Sequence, residues 1–383
     1  MKEHLPASRT GKPPIYLDYN ATTPVLDPVR RAIEESLDDF GNPSSTHAFG
    51  RRARERIASN RAEVALLLGC RPEEIVFTSG GSESNNLALT GVARRKGPGH
   101  IITCAGEHPA VLEVCAFLER GGWRVTRLAI DGRGHVDPAA VAEAIRADTI
   151  LISVMHANNE TGTVQPIAAI AHVARERGVL FHTDAAQSIG KIPAKVDELG
   201  VDLLSLAGHK LYAPKGCGAL YVRTGVAIEP LIHGAGHEGG RRAGTEAVHQ
   251  IAALGAACRM ARTEGATDRL RTLRDRLHAL LEQAIAGLTL NGHPIERLPN
   301  TLNVNFPGVD GGELLERARC VAASTGSACH SGETRLSPVL ASMGVPPLLG
   351  CGAVRLSLGR PTATEEIDDA AAALLRAHSE LTR

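Results

Sequence analysis

The segment Ser205-Leu-Ala-Gly-His209-Lys210 ends an apolar run on a lysine. Burying an ammonium at a strand end is costly, because the charge leaves water there. One chemical use for such an amine is a Schiff base with an aldehyde cofactor. Taken alone, Lys210 reads equally well as a surface residue on the turn before Pro214-Lys215-Gly216. Asp184, in His182-Thr-Asp184-Ala-Ala-Gln187-Ser, follows the preceding apolar run. It either caps that strand or pairs with a protonated ring nitrogen, the usual protein contribution to an electron-sink cofactor. About one strand and one crossover separate it from Lys210, which suits opposite ends of one ring. Thr78-Ser-Gly80-Gly81-Ser82-Glu-Ser-Asn follows another run and opens a helical segment. Its glycines let the backbone approach an anion, and the N–H groups of a helix start, with the Ser82 hydroxyl, suit a phosphate. Glu107-His108 and Asn158-Asn159-Glu160-Thr161-Gly162 follow two further runs. Each signal is weak alone. Strand ends that present Gly/Ser, His, Asn, Asp and Lys together point to one site.

The elements that must position these residues are legible as a pattern. Strand-like runs cover Ile75–Thr78, His100–Cys104, Val125–Ile130, Ile150–Met155, Val179–His182, Asp202–Leu206 and Ala219–Val222. Between most of them lie helical periodicities, at Glu83–Arg95, Ala110–Glu119, Pro138–Ala147 and Ile167–Arg177. The alternation predicts right-handed crossovers and an α/β fold on a mainly parallel seven-stranded sheet. Ligands in such sheets sit beyond the carboxyl ends of the strands, where the candidates fall. After about residue 257 the pattern changes. Helical stretches at Cys258–Thr263 and Asp268–Ala286 precede strand-like runs at Leu302–Phe306, Cys320–Ser324 and Val354–Leu358, then a helix at Glu365–His378. The expected organisation is a large domain over 17–257 and a smaller α+β domain formed by 1–16 and 258–383.

Composition narrows the function classes. The chain has 383 residues, 43% hydrophobic and 22% charged, and its 42 Lys+Arg balance 42 Asp+Glu. Zero net charge argues against bulk binding to nucleic acid or an anionic membrane. No apolar run approaches the roughly 18 residues of a membrane span. The N-terminus lacks an apolar signal core, and the expected location is the cytoplasm. The eight cysteines are scattered, without a CxxC pair, a poor framework for disulfides or zinc. His182-x-Asp184 and His233/His237 are the best metal-ligand candidates, without HExxH spacing, so no metal is expected. Gly234-Ala-Gly-His-Glu-Gly239 matches GxGxxG but opens no strand–helix unit, and a nucleotide reading is rejected.

Cys329 stands apart from the other cysteines. It lies in Ala323-Ser-Thr-Gly-Ser-Ala-Cys329-His-Ser-Gly-Glu-Thr-Arg335, a small and polar segment expected to form an exposed, mobile loop. His330 beside it is a candidate proton acceptor for thiolate formation. The other seven cysteines sit mostly in apolar runs and read as inert.

Taken together, the motifs resemble the NifS/IscS-type cysteine desulfurases of the class V aminotransferase superfamily, which are fold type I pyridoxal-phosphate enzymes. The resemblance runs from Tyr16-Leu-Asp-Tyr-Asn-Ala-Thr-Thr-Pro24 to Arg355-Leu-Ser-Leu-Gly-Arg360. It includes Gly41-Asn-Pro-Ser-Ser45, Thr78–Asn86, Asn158–Gly162, Asp184–Gln187, Gly208–Lys210, Ala243-Gly-Thr245 and Gly326–Cys329. It implies that Lys210 holds pyridoxal phosphate, that His108 stacks on the ring and that Asp184 pairs with the ring nitrogen. Gln187 and Asn159 then contact the ring-oxygen side. Gly81, Ser82 and His209 bind phosphate, and Thr245 reaches in from the partner of a homodimer. Arg355 and Asn159 hold the substrate carboxylate, and Cys329 takes sulfur from L-cysteine as a persulfide and leaves alanine. Ala207 departs from the family, which commonly has serine there. The missing hydroxyl should weaken phosphate binding by about 0.5–1.5 kcal/mol.

The nearest alternative is a selenocysteine lyase acting on L-selenocysteine, which Cys329-His330-Ser331 and Ser337-Pro-Val-Leu340 also resemble. Those lyases carry an acidic residue after the equivalent of His108, where this chain has Pro109. An ordinary aminotransferase has no use for the Cys329 segment. The expected sulfur recipient, for iron–sulfur cluster or other sulfur-compound synthesis, is an acceptor protein or a small thiol. The housekeeping relatives carry a further C-terminal tail that helps dock a scaffold protein. With the sequence ending at Arg383, weak binding to a general iron–sulfur scaffold is expected.

Overall fold

The strand-like runs between residues 75 and 222 become one seven-stranded sheet. In the computed structural model the described residues are 13–263, 265–325, 327–330 and 333–383, with backbone only for 327–330 and 333–335. The strands are β1 (Ile75–Thr78), β2 (His100–Cys104), β3 (Arg124–Leu128), β4 (Thr149–Ser153), β5 (Leu180–Asp184), β6 (Leu203–Ala207) and β7 (Gly218–Val222). Their spatial order is β1-β7-β6-β5-β4-β2-β3. All neighbours pair in parallel except β7, which runs antiparallel to both β1 and β6. Apolar runs such as Leu-Leu-Ser-Leu-Ala in β6 are buried along their whole length, as a sheet covered on both faces requires. The edge strand β3 alternates Arg and Thr with apolar residues and stays partly exposed.

Helices cover the faces. Helix α1 (Asp27–Ser36) and α2 (Ala48–Leu68) pack on α7 (Val248–Thr263), while α3 (Gly81–Lys96) packs on α4 (Pro109–Arg120). Further crossovers run through α5 (Pro138–Ala144), α6 (Ile167–Glu176) and a single helical turn at Val196–Leu199. Pro109 and Pro138 start their helices where a missing N–H costs nothing.

A second core begins at Leu270. It gathers α8 (Thr267–Ala284), α9 (Thr364–Leu381) and the four-stranded sheet of β8 (Thr289–Leu290), β9 (Thr301–Asn305), β10 (Ser324–Thr325) and β11 (Ala353–Ser357). That sheet has the order β10-β11-β9-β8 and is antiparallel throughout. The N-terminal arm joins it, because Leu17 is buried in this core and Ile15–Tyr16 pairs with Val321–Ala322. The run expected as one strand over Cys320–Ser324 is therefore split between two partners. Helix α7 continues unbroken through residue 258, past the boundary read from the sequence at 257.

Candidate active site

Five sheet segments and one strand of the second core deliver polar groups to a single cleft of about 440 Å3, a size suited to a small-molecule site. Of the residues named from the sequence and the resemblance, Gly81, Ser82, His108, Asn159, Asp184, Gln187, His209, Lys210 and Arg355 all line it. Thr245 does not join them. Cys329 lies on the strand Ser327–His330, whose backbone pairs antiparallel with Glu333–Leu336 and sets Cys329 opposite Thr334. The segment expected as a loop is thus a hairpin, and the side chains of Cys329 and His330 lie outside the described residues. Thr245 is exposed on another surface. Its neighbours Arg241 and Arg242 are engaged in their own chain, with the main-chain oxygen of Glu73 at 2.8 Å and Glu83 at 2.9 Å.

The anion end is built by α3. The first helical amides have no partner inside a helix, and here the Ser84 N–H takes the Gly80 oxygen at 3.0 Å, which leaves those of Gly81, Ser82 and Glu83. Gly80 sits at φ 149°, and Gly218 of β7 approaches it so closely that a Cβ there would lie 2.6 Å from the Gly80 Cα. Neither position tolerates a side chain. A Cβ on Gly81 would meet the Ala207 methyl at 3.3 Å, so position 207 borders the same cradle. His209 adds a neutral imidazole, with its pKa lowered to about 4 by burial and by Lys210 and Lys215, and Nδ1 lies 3.1 Å from the Thr22 hydroxyl.

Asp184 ends β5 at the opposite side. The Asn85 amide donates to its Oδ2 at 2.6 Å, and the Ala186 N–H to its Oδ1 at 2.9 Å. Sequence reading missed Asn85, although it lies four residues after Gly81 and so on the same face of α3. Its Oδ1 is buried without a partner among the described residues. A protonated ring nitrogen at Asp184 is a donor of the kind this end lacks. Behind Asp184, burial and then the Asp184 charge push the carboxyl of Glu107 well above the usual range, towards its neutral form.

Lys210 lies just beyond β6, on the short turn Gly208–Lys210. Its amine donates to the main-chain oxygens of Asn20 at 2.5 Å and Ala21 at 2.8 Å. Burial and the Arg355 charge lower its pKa to about 8, against the opposing pull of Asp184 and Asp18. The neutral, nucleophilic form is thus accessible near neutral pH. His108 caps α4, and its Nδ1 accepts the Ala110 N–H at 3.0 Å. That bond puts the proton of the neutral ring on Nε2.

Arg355, in the middle strand of the second sheet, donates to the Asn159 main-chain oxygen at 3.1 Å, Asp18 at 2.7 Å and Ser324 at 2.9 Å. Its Nε is buried and unpartnered among the described residues, so donor capacity remains for an incoming carboxylate. Asn20 was also missed. It is 1% exposed and joins both cores, with its amide donating to the Asn159 oxygen at 3.1 Å and to Thr301 at 2.9 Å. An aldehyde cofactor with a phosphate and a ring nitrogen fits this donor set.

The rejected sites have structural uses. His182 is fully buried between the hydroxyls of Ser153 and Ser205, each at 2.9 Å, and burial lowers its pKa to about 3. In the GxGxxG segment Glu238 pairs with Arg61 at 2.6 Å and accepts the Phe77 N–H at 2.9 Å. Burial raises the thiol pKa of Cys70, Cys115 and Cys217 to about 12, and those of Cys104 and Cys258 also rise, which disfavours thiolate at these positions.

Residues 15–369 match the aminotransferase class-V family. The chain belongs to that family, whose members are pyridoxal-phosphate enzymes. Among its relatives are the cysteine desulfurases IscS of Dictyoglomus turgidum, 48% identical with 92% of each chain covered, and of Pseudomonas aeruginosa, 48% identical over 97% of this chain and 94% of the other. The fold matches that of a NifS-like protein with a TM-score of 0.89 and 36% identity, over 96% of this chain and 99% of the other. It also matches SspA in complex with cysteine with a TM-score of 0.81 and 39% identity, over 90% and 98%.

Proposed function

We propose that the protein is a cysteine desulfurase that moves sulfur from L-cysteine to its own Cys329 and releases L-alanine. The observation that carries this reading is the single cleft in which a lysine amine, a carboxylate, a helix-start anion cradle and an arginine converge. Lys210 would hold pyridoxal phosphate covalently, Asp184 would face the ring nitrogen, and His108 would lie against the ring. Gln187 and Asn159 would serve the ring-oxygen side. Gly81, Ser82 and His209 would hold the phosphate, joined by Thr245 from the partner of a homodimer. When bound, the cofactor supplies an electron sink for the substrate α-carbon.

The protein's own groups do the rest. Arg355 and Asn159 orient the substrate carboxylate. The Lys210 amine, once free of the cofactor, carries the α-proton, a role suited to a pKa near the working pH. The Cys329 thiolate then attacks the substrate sulfur. An S–S bond forms, the Cβ–S bond breaks, and its electron pair stays with the carbon skeleton, which takes up a proton and leaves as alanine. Cys329 is five residues along the chain from Ser324, whose hydroxyl accepts from Arg355. Five residues span at most about 17 Å, which bounds the backbone separation between Cys329 and Ser324. Pro109 occupies the first turn of α4 where the lyases carry an acid, which favours cysteine over selenocysteine. The persulfide passes to an acceptor protein or a small thiol in the cytoplasm. Among the described residues no helix is long and apolar enough to cross a membrane.

The test is incubation of the reconstituted enzyme with L-cysteine and a reductant. Alanine and sulfide in equal amounts, without a keto-acid requirement, are expected. Keto-acid-dependent turnover without sulfide would favour an aminotransferase instead.

A further inference from the structure

A second lysine stands behind the first. Lys191 leaves its stem partly at the surface and turns its ammonium inward, towards the floor of the cleft. The amine donates to Gln187 Oε1 at 3.0 Å and to Asn20 Oδ1 at 3.4 Å. Its main chain is fixed in turn by the Thr267 hydroxyl, which donates to the Lys191 oxygen at 2.9 Å. Lys191 itself does not line the cleft.

The bonds around Gln187 and Asn20 allow only one sense. An ammonium has donors and no acceptor, so the group of Gln187 that faces Lys191 is its oxygen. The Gln187 NH2 must then face the other way, and it donates to the Asn20 main-chain oxygen at 2.9 Å. That same oxygen accepts the Lys210 amine. Asn20 is held on its other sides by the Asn300 amide at 3.1 Å and by its own bonds to Thr301 and the Asn159 oxygen. We propose that Lys191 is a positioning residue, which fixes the direction of the Gln187 amide and, through Gln187 and the Asn20 carbonyl, the Lys210 amine. While Lys191 is protonated, Gln187 offers the cleft a donor, through its second NH2 hydrogen, and not an acceptor.

The electrostatics agree with this placement. Burial first, then the charges of Lys210 and Arg355, lower the Lys191 pKa to about 7. No carboxylate is among the groups acting on it, whereas Lys210 has Asp184 and Asp18 within reach. A hydrophobic residue would fill this space at lower electrostatic cost, yet would leave Gln187 Oε1 buried and the amide free to turn.

This inference rests on the cofactor reading above, and its test separates the two. The holoenzymes of wild type, Lys191→Met, Gln187→Ala and the double variant are titrated with base while the visible absorbance of the bound cofactor is followed. Lys191→Met should displace the titration midpoint while staying fully folded at the assay temperature, and kcat should fall at least fivefold with little change in KM. Because Lys191 acts through Gln187, the double variant should match Gln187→Ala alone. Lys191→Arg, which keeps the donors, should restore the wild-type midpoint. If Lys191→Met does not fold, Lys191→Leu, which also has no donor, is read in the same way. An unmoved midpoint in either variant, or additive effects in the double variant, would overturn the role of Lys191. Absence of a cofactor band in wild type would instead overturn the cofactor reading.

Discussion

At the scale of single residues the site is a set of groups whose charge states are set by burial. Lys210 is the group on which all else depends. Lys210→Ala is expected to abolish turnover and to leave no cofactor attached after borohydride reduction, as read by mass spectrometry of the digested protein. Lys191 should not substitute, because its amine is committed to Gln187 and Asn20 behind the cleft. Cofactor trapped on any other lysine would contradict the assignment. The two lysines also give the fold a pH dependence. Their pKa values fall from 10.5 to about 8 for Lys210 and about 7 for Lys191. Between those values and 10.5 the unfolded chain binds protons that the folded chain does not, so their contribution to stability grows as pH rises and is lost as pH falls through 7. The melting temperature of wild-type apoprotein relative to Lys191→Met should therefore rise between pH 6.5 and pH 9, and a constant difference would count against the buried ammonium. Lys210, Asp184 and His108 were legible because a charged or imidazole group beside a strand end is conspicuous, whereas Arg355, inside a strand of the second sheet, was named only through the family resemblance. Asn20 and Asn85 were not, since an Asn in Asp-Tyr-Asn-Ala-Thr-Thr or Ser-Asn-Asn reads as a turn or a polar helix face. Only the convergence of distant elements buries them.

The elements were legible where a run was apolar and short. All seven strands of the large sheet fall within a residue or two of their expected positions, because most of them are buried on both faces and leave an unbroken apolar signature. Helices α1 and α2 escaped notice. Ala48–Leu68 is dense in Arg and presents only a thin apolar seam to α7, so its periodicity is weak. The hairpin around Cys329 was hidden for a different reason, since its small polar residues have no alternation to follow. The anion cradle depends on α3 meeting β6 and β7, and two substitutions test it. Ala207→Ser should return a hydroxyl beside Gly81 and tighten pyridoxal-phosphate binding by about 0.5–1.5 kcal/mol, a few-fold to tenfold in the dissociation constant measured on reconstitution. Gly218→Ala should destabilise the fold by about 1–3 kcal/mol through overpacking against Gly80 and the Leu206 oxygen, and should raise the rate of cofactor loss. A Gly218→Ala protein with unchanged cofactor retention would show that the contact is not needed for the cradle.

At the scale of the whole molecule, two cores meet at the cleft and each supplies one partner of the reaction. The large sheet brings the cofactor groups. The second sheet brings Arg355 and, a few residues beyond Ser324, the strand that carries Cys329. In the proposed mechanism nucleophile and cofactor sit on separate elements, so that the sulfur can be handed on without moving the cofactor. The proposed phosphate role of Thr245, which is exposed in the single chain, requires a partner subunit. Sedimentation should give a dimer, and Thr245→Val should weaken cofactor binding while leaving the dimer intact. A monomer with full cofactor occupancy would refute that arrangement. The decisive measurement is the fate of the substrate sulfur in Cys329→Ser. With L-cysteine, wild type should yield alanine and a 32 Da sulfur adduct (about the mass of one sulfur atom) on the peptide that contains Cys329. The variant should bind cofactor and cysteine with the same spectral change, yet form neither adduct nor alanine at more than about a hundredth of the wild-type rate, a loss of roughly 2.7 kcal/mol in transition-state stabilisation. Desulfuration by Cys329→Ser at near wild-type rate, or an adduct on a different cysteine in wild type, would contradict it.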